Sequence, residues 1–169
     1  IKNNTPDFKF MVNVGDVVAT GSNAGEWAIW SRAITDVFGS TLQDGTPPKY
    51  MAVDGNHDVA WWGLGQENWR ANLSGQYQRF GPNTFFYFDY NDARFILMET
   101  ENDIGGQQMT MLLDAIKNNP KKWLFTIWHQ PIFDFGPKAY IGELHNYWGI
   151  PLYKSGCDIM FMGHSHYYL

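Results

Sequence analysis

Four short polar motifs follow apolar segments of the sequence, and three of them contain histidine. They are Gly15-Asp16, Gly55-Asn56-His57-Asp58, the single residue His129, and Gly163-His164-Ser165-His166. Four of the five histidines in the chain lie in these motifs. Carboxylate, amide oxygen and imidazole together suit transition metals such as Zn, Fe, Mn or Ni better than Ca or Mg. The set therefore predicts a metal site assembled from distant parts of the chain.

Each motif is expected to follow a β-strand. Apolar runs predict strands at 8–14, 50–53, 122–128 and 158–162, and one motif follows the end of each run. Open α/β sheets place their chemistry at the carboxyl ends of the strands. The four motifs are therefore expected to meet at one edge of a sheet.

Helices and one hairpin are predicted between these strands. Apolar residues at three- and four-residue spacing predict helices at 24–38 and around 109–116, and a shorter helix is expected at 66–73. Two further strand-like runs, 84–90 and 93–98, flank Asn91-Asp92 and predict an antiparallel hairpin. Strands that alternate with helices indicate an α/β fold.

Composition narrows the class of protein. A chain of 169 residues is expected to form a single domain over residues 1–169. The net charge of −5 argues against a surface built to bind nucleic acid through its phosphates, and no apolar run approaches a membrane span. Cys157 is the only cysteine, so an intrachain disulfide is excluded. None of this indicates a cellular compartment.

The predicted ligands suggest a specific chemistry. A bridging carboxylate can hold two cations about 3.5–4 Å apart, so that they polarise a phosphoryl oxygen and lower the pKa of a shared water. The product is a hydroxide nucleophile at neutral pH. Asp58 follows His57 directly, and a carboxylate beside a histidine can fix its tautomer and favour its protonated form.

The order of the motifs resembles the calcineurin-like metallophosphoesterases over nearly the whole chain. The resemblance implies a layered β-sandwich flanked by helices and a centre of two transition-metal ions, Mn, Fe, Zn or Ni. By position, Asp16 would bridge both metals, Asn56, His129 and His164 would complete the second metal, and His166 would bind the first. These residues are the predicted metal ligands.

The same resemblance assigns catalytic roles and an activity. His57 would contact the phosphoryl oxygen and protonate or stabilise the leaving group, and Asp58 would hold its ring. The implied reaction is hydrolysis of a phosphomonoester or phosphodiester in a small phosphorylated substrate by a metal-bound hydroxide. The alternative is a catalytically weak or inactive relative that uses the fold as an interaction scaffold.

The chain departs from the family pattern at two places. It lacks the family's first motif, Asp-x-His, and it stops three residues after His166, so we expect a domain truncated at both ends. The first metal is then expected to bind weakly, and an unpaired sheet edge is expected to favour self-association. Purple acid phosphatases carry a tyrosine three residues after the bridging aspartate, where this chain has Ala19, so no ferric charge-transfer colour is expected.

Other residues with chemical potential have a plainer interpretation. Glu99, Glu101 and Asp103 are more consistent with a solvated acidic loop than with a carboxylate site. His145 is expected to be structural or on the surface rather than in contact with substrate. Trp61 and Trp62 follow the second motif and are equally consistent with a pocket wall and with packing.

Overall fold

Two β-sheets form the centre of the structure. The computed structural model describes residues 8–39, 47–59, 65–81, 83–133 and 142–166. The small sheet pairs β1 (Met11–Asn13) in parallel with β2 (Tyr50–Ala52). The large sheet has the order β3 (Phe86–Tyr90), β4 (Ala93–Leu97), β5 (Trp123–Ile127) and β6 (Ile159–Phe161). β3 and β4 form the predicted antiparallel hairpin, whereas β4, β5 and β6 are parallel.

Helices connect the strands and cover both sheets. Those in the described residues are α1 (Ala24–Phe38), α2 (Asn56–Val59), α3 (Gln66–Asn72), α4 (Ser74–Phe80), α5 (Gly106–Lys117), α6 (Gly142–Leu144) and α7 (Ile150–Ser155), with a π-helical turn at His145–Gly149. α1 begins where the Asn23 side chain accepts a hydrogen bond from the Gly25 amide. No helix in these ranges is long and apolar enough to cross a membrane.

The two sheets pack face to face. Side chains alternate between the faces of a strand, so Phe86 and Phe88 of β3 point in the same direction. They meet residues of the small sheet and of the neighbouring strands in a buried cluster that contains Met51, Val53, Phe86, Phe88, Leu97 and Ile127. The predicted layered β-sandwich is thereby confirmed.

Helices bury the outer face of each sheet, as the prediction of flanking helices requires. α1 and α3 cover the small sheet through a cluster that contains Trp27, Phe38, Tyr50, Ala52, Trp69 and Leu73. α5, the π turn and α7 cover the large sheet through Ile96, Leu112, Leu124, Trp148 and Leu152. The sandwich therefore lies between two layers of helices. These layers do not cover the ends of the strands, where the following loops begin.

α4 is an element that the sequence did not predict. Its first residues, Ser74-Gly75, have low intrinsic helix propensity. A tertiary contact holds it instead. The buried Gln76 side chain accepts a hydrogen bond from the Ala52 amide and donates one to the Ala52 carbonyl, each 3.0 Å long. Gln76 thus takes the place of a neighbouring strand on the second edge of β2.

The outer edge of the large sheet bears on the expected self-association. Among the described residues, β6 pairs with β5 alone. Ile159 and Phe161 on this strand are 46% and 44% exposed. An exposed apolar edge strand is a template for pairing with another chain. Self-association through this edge stays a prediction.

Replacing Gln76 by alanine is expected to lower the free energy of unfolding by about 2–4 kcal/mol, because two buried backbone groups of Ala52 lose their partners. Urea denaturation measures this loss. Gln78→Ala removes an exposed glutamine from the same helix and should change stability by less than about 0.5 kcal/mol. Equal stabilities of the two variants would contradict the role given to Gln76.

Candidate metal centre

The strand ends bring four of the predicted ligands together. β1, β2, β5 and β6 each lead into one polar motif, and these ends meet at one edge of the sandwich. The side chains that converge there are those of Asp16, Asn56, His129 and His164. Residues up to 148 positions apart in the sequence thus share one small volume, as the motif order predicted.

The distances within this group match those between ligands of one metal ion. Asn56 Oδ1 lies 3.2 Å from His129 Nε2 and 3.0 Å from His164 Nδ1, and the two nitrogens are 3.3 Å apart. Asp16 Oδ2 lies 3.2 Å from His129 Nε2. Four tetrahedral ligands with bonds of about 2.0–2.1 Å are about 3.3 Å from one another. The four residues therefore suit a transition-metal ion in both chemistry and spacing.

A hydrogen bond at its second ring nitrogen, Nδ1, fixes the orientation of His129. Its ring is 1% exposed, and Nδ1 donates a hydrogen bond of 2.8 Å to the Val14 carbonyl. A carbonyl can only accept, so Nδ1 carries the proton and the lone pair of Nε2 faces Asp16 and Asn56. Metal-binding histidines in proteins are commonly held in this way through their second nitrogen.

Asp16 and His129 shift each other's pKa. Burial disfavours the imidazolium, but the Asp16 carboxylate outweighs it and holds the pKa of His129 above its usual value. Burial also raises the pKa of Asp16, and the hydrogen bond and charge of His129 lower it by more. A proton at this position would leave when a metal ion binds.

Unusual backbone conformations concentrate at the same edge. Asp16, His164 and His166 have positive φ angles of 54°, 67° and 28°. Positive φ is uncommon for residues other than glycine, costs of order 1–3 kcal/mol and often marks functional sites. Three of the four such residues in the described ranges belong to the predicted ligand set, and the fourth, Asn91, lies in the hairpin turn.

His166 lies at the rim of the centre rather than within it. It lines the same cavity of about 360 Å³ as Asp16, His129 and His164, and its side chain is exposed. In the described ranges, Asp16, His129 and His164 form the one group of three or more carboxylate, imidazole or thiol side chains close enough to hold an ion. His166 does not join this group, so its role as a ligand of a first metal stays a prediction.

The geometry corrects the predicted pairing of His57 with Asp58. His57 is exposed, and its Nδ1 donates to the Ala19 carbonyl at 2.7 Å, not to Asp58. Asp58 is fully buried and accepts hydrogen bonds from the amides of Val17, Val18 and Gly55. A carboxylate one residue after a histidine on a short helix points away from it, so adjacency in the sequence does not give a contact.

Asp58 therefore connects two of the motifs. Its Oδ1 accepts hydrogen bonds from the amides of Val17 and Val18, which follow Asp16. Its Oδ2 accepts one from the Gly55 amide, which precedes Asn56, and the three distances are 2.7–3.1 Å. Burial raises the pKa of Asp58 to about 6, against the three amides, which favour the carboxylate. Sequence reasoning missed this role because two of the three partners, Val17 and Val18, lie about 40 positions away.

The structure supports some of the predictions for the remaining candidate residues and contradicts others. Glu99 is 3% exposed, so its expected place in a solvated loop is wrong, whereas Asp103 is exposed as expected. The ring of His145 packs against Phe133, with ring centroids 5.7 Å apart. Trp61 and Trp62 lie outside the described residues.

Fold and site together define a β-sandwich with a group of side chains at its strand ends that could hold a metal ion, and comparison with known proteins supports this fold. The sequence profile of the calcineurin-like phosphoesterases matches residues 1–168, and the chain belongs to this family. The family implies divalent metal ions, and it supports phosphoester hydrolysis in general. No curated protein sequence matches the chain.

The structure is also similar to that of a purple acid phosphatase isolated from yellow lupin (Lupinus luteus) seeds. The TM-score is 0.65 at 19% sequence identity, and the match covers 96% of this chain. The same match covers 31% of the lupin chain, so this chain spans about a third of that enzyme's length. At this identity the similarity shows the fold.

Gly55→Ala is expected to weaken metal binding by at least about tenfold, because a Cβ atom at this position would lie 2.6 Å from the Asp16 backbone nitrogen and displace its carboxylate. Overpacking of this kind also costs about 1–3 kcal/mol of stability. Calorimetric titration with Zn²⁺ or Mn²⁺ measures the affinity. Gly142→Ala, whose Cβ would meet no atom within 4 Å, is the matched control. Unchanged affinity in Gly55→Ala would contradict the placement of Asp16.

Proposed function

We propose that this protein hydrolyses a phosphomonoester or phosphodiester of a small phosphorylated substrate with the help of transition-metal ions. The observation that carries the proposal is the convergence of two oxygens and two imidazole nitrogens at the strand ends, where four of the pairs that they form are 3.0–3.3 Å apart. Membership of the calcineurin-like phosphoesterases supports the class of reaction.

Asp16, Asn56, His129 and His164 would hold the ion, with His166 beside them for a second. When bound, the ions would polarise the phosphoryl group and activate a water for attack. The protein itself contributes by holding the ligand atoms in position. The Asp16 carboxylate is held through Oδ1 by the His57 amide at 3.0 Å, and this leaves Oδ2 directed at the cluster.

His57 is the residue proposed to act on the leaving group. Its Nδ1 proton is engaged by the Ala19 carbonyl, so Nε2 is the nitrogen that can exchange a proton with a substrate. The side chain is exposed and follows Asn56 directly, and its own backbone amide contacts Asp16. A protonated ring at this place would donate to the departing oxygen as a general acid. Asp58 would serve this step indirectly, because it fixes the loop that carries Ala19.

His57→Ala is expected to lower kcat about 10²–10⁴-fold and leave the metal content unchanged, because general acid–base groups contribute rate and not metal affinity. His164→Ala is expected to lose metal and activity together. Hydrolysis of p-nitrophenyl phosphate and of bis-p-nitrophenyl phosphate, with added Mn²⁺, Zn²⁺ or Fe²⁺, and elemental analysis of the same samples provide the two readouts. His145→Ala removes an imidazole outside the proposed centre and should retain both.

A scaffold without catalysis is the competing function, and the exposed position of His166, outside the ligand group, favours it. A sample that binds metal stoichiometrically and turns over neither the monoester nor the diester would establish the scaffold. Equal activities of wild type and His57→Ala would remove His57 from the mechanism.

A further inference from the structure

Two carboxylates hold the backbone segment that leads from the metal centre into α1. Asp58 accepts hydrogen bonds from the two amides that follow Asp16, and Glu26 in the first turn of α1 accepts from the two amides after those. Glu26 Oε2 lies 2.9 Å from the Ala19 nitrogen and 2.8 Å from the Thr20 nitrogen. Hydrogen bonds to a charged acceptor are roughly twice as strong as those between neutral groups. Four consecutive amides are thus bound by charged acceptors, and the course of this segment is fixed.

His57 is attached to the same segment at two points. Its ring Nδ1 donates to the Ala19 carbonyl at 2.7 Å, and its own carbonyl accepts from the Gly21 amide at 2.8 Å. The segment can approach this closely because residue 21 is a glycine, since a Cβ atom there would collide with the Asp58 carbonyl. The position of the His57 ring therefore depends on the position of the segment.

One peptide group lies between Glu26 and His57. The Ala19 carbonyl and the Thr20 N–H belong to the same peptide bond, which is planar. Glu26 accepts from the N–H of this group, and His57 donates to its oxygen. Because the group is planar, the bond at the nitrogen also directs the oxygen, and hydrogen bonds in such a chain strengthen one another. Glu26 can therefore act on His57 through a single peptide group.

Glu26 is itself held on a rigid part of the fold. Its Oε1 accepts from the Asn23 side-chain amide at 2.9 Å, and the Asn23 oxygen caps α1 by accepting from the Gly25 amide at 3.0 Å. The next residue, Trp27, is 2% exposed, and its Nε1 donates to the Gly21 carbonyl at 2.7 Å. The carboxylate thus stands at the start of a helix that is packed into the core, as a residue that positions another must be.

We propose that Glu26 is a positioning residue for His57, which holds the single proton of the neutral ring on Nδ1 through the Ala19–Thr20 peptide and leaves Nε2 free for the substrate. A neutral imidazole carries one proton, and the hydrogen bond at one nitrogen decides where it lies. Glu26 would then perform over a longer path the task that the sequence assigned to Asp58. The inference rests on the proposed function, because it concerns the residue proposed to act on the leaving group.

Glu26→Ala is expected to lower kcat for p-nitrophenyl phosphate about 5- to 100-fold at unchanged metal content, because misplacement of a reacting group reduces rate. Glu26→Gln should lose less, since its one oxygen can still accept from both amides. Asn23→Ala removes the cap of α1 but leaves both amide bonds of Glu26 Oε2, so it should keep the wild-type kcat even where it melts at a lower temperature. Asp36→Ala, which removes an exposed acid from the same helix, should behave as wild type.

A double-mutant cycle distinguishes positioning of His57 from a general structural role. In the His57→Ala background, Glu26→Ala should cause no further loss of kcat, because a residue that acts through His57 then has nothing to position. An equal loss of kcat in both backgrounds would overturn the inference. So would an unchanged kcat in Glu26→Ala of an active enzyme.

Nitrogen NMR of the metal-free protein at about pH 9, where the ring is neutral, measures the tautomer of His57 without any activity. Wild type should carry the proton on Nδ1, and Glu26→Ala should show a larger fraction on Nε2. His57→Ala identifies the signals. An unchanged tautomer in Glu26→Ala would overturn the inference whatever the rates. A tautomer that follows Glu26 in a protein that hydrolyses neither ester would support the positioning contact and contradict the proposed hydrolysis, so the two proposals fail separately.

Discussion

The hydrogen bond between His129 Nδ1 and the Val14 carbonyl joins the two sheets at the point where the metal ligands meet. Val14 follows β1 in the small sheet, and His129 follows β5 in the large sheet. The bond determines which nitrogen of His129 carries the proton, and it fixes the distance between the sheets at this edge. The lone pair of His129 can face Asp16 and Asn56 only while this bond holds. Both the geometry and the electrostatics of the centre therefore depend on the relative position of two separate sheets.

Packing in the sandwich supplies that relative position. Because side chains alternate along each strand, a shift of one residue in any pairing would turn the apolar face outward. The aromatic contacts Phe10–Phe88 and Phe10–Phe95, with ring centroids 5.5 and 5.2 Å apart, tie the segment before β1 to the large sheet. The positive φ angles of Asp16 and His164 can persist because this framework over-determines the loops. Stability of the core thus sustains strain at its edge.

The sequence was sufficient to predict what depends on local pattern. Strand, motif and helix order follow from periodicity, and α1 has the bounds that its spacing predicted. The convergence of Asp16, Asn56, His129 and His164 could be anticipated because parallel strands end at one edge. The partners of Asp58 and Gln76 could not, since the amides of Val17, Val18 and Ala52 belong to segments distant in the sequence. For Asp58 the local signal was misleading, because its neighbour His57 lies on the other side of the short helix.

Asp54 and Asp58 flank the Gly55-Asn56-His57 segment and show two solutions to the burial of a carboxylate. Asp58 receives three backbone amides, which supply partial positive charge without any ion. Asp54 is buried close to a second carboxyl group, that of Glu99, and burial followed by the charge of Glu99 raises its pKa well above the usual value. The amides near the turn are already engaged: those of Gly55 and His57 bind Asp58 and Asp16, and that of Glu99 binds Gln108. Burial therefore disfavours the charged form of Asp54, whereas the three amides favour the carboxylate of Asp58. The same turn then has a carboxylate bound by amides on one side and a buried carboxyl group with a raised pKa on the other, and Asn56 is positioned between them.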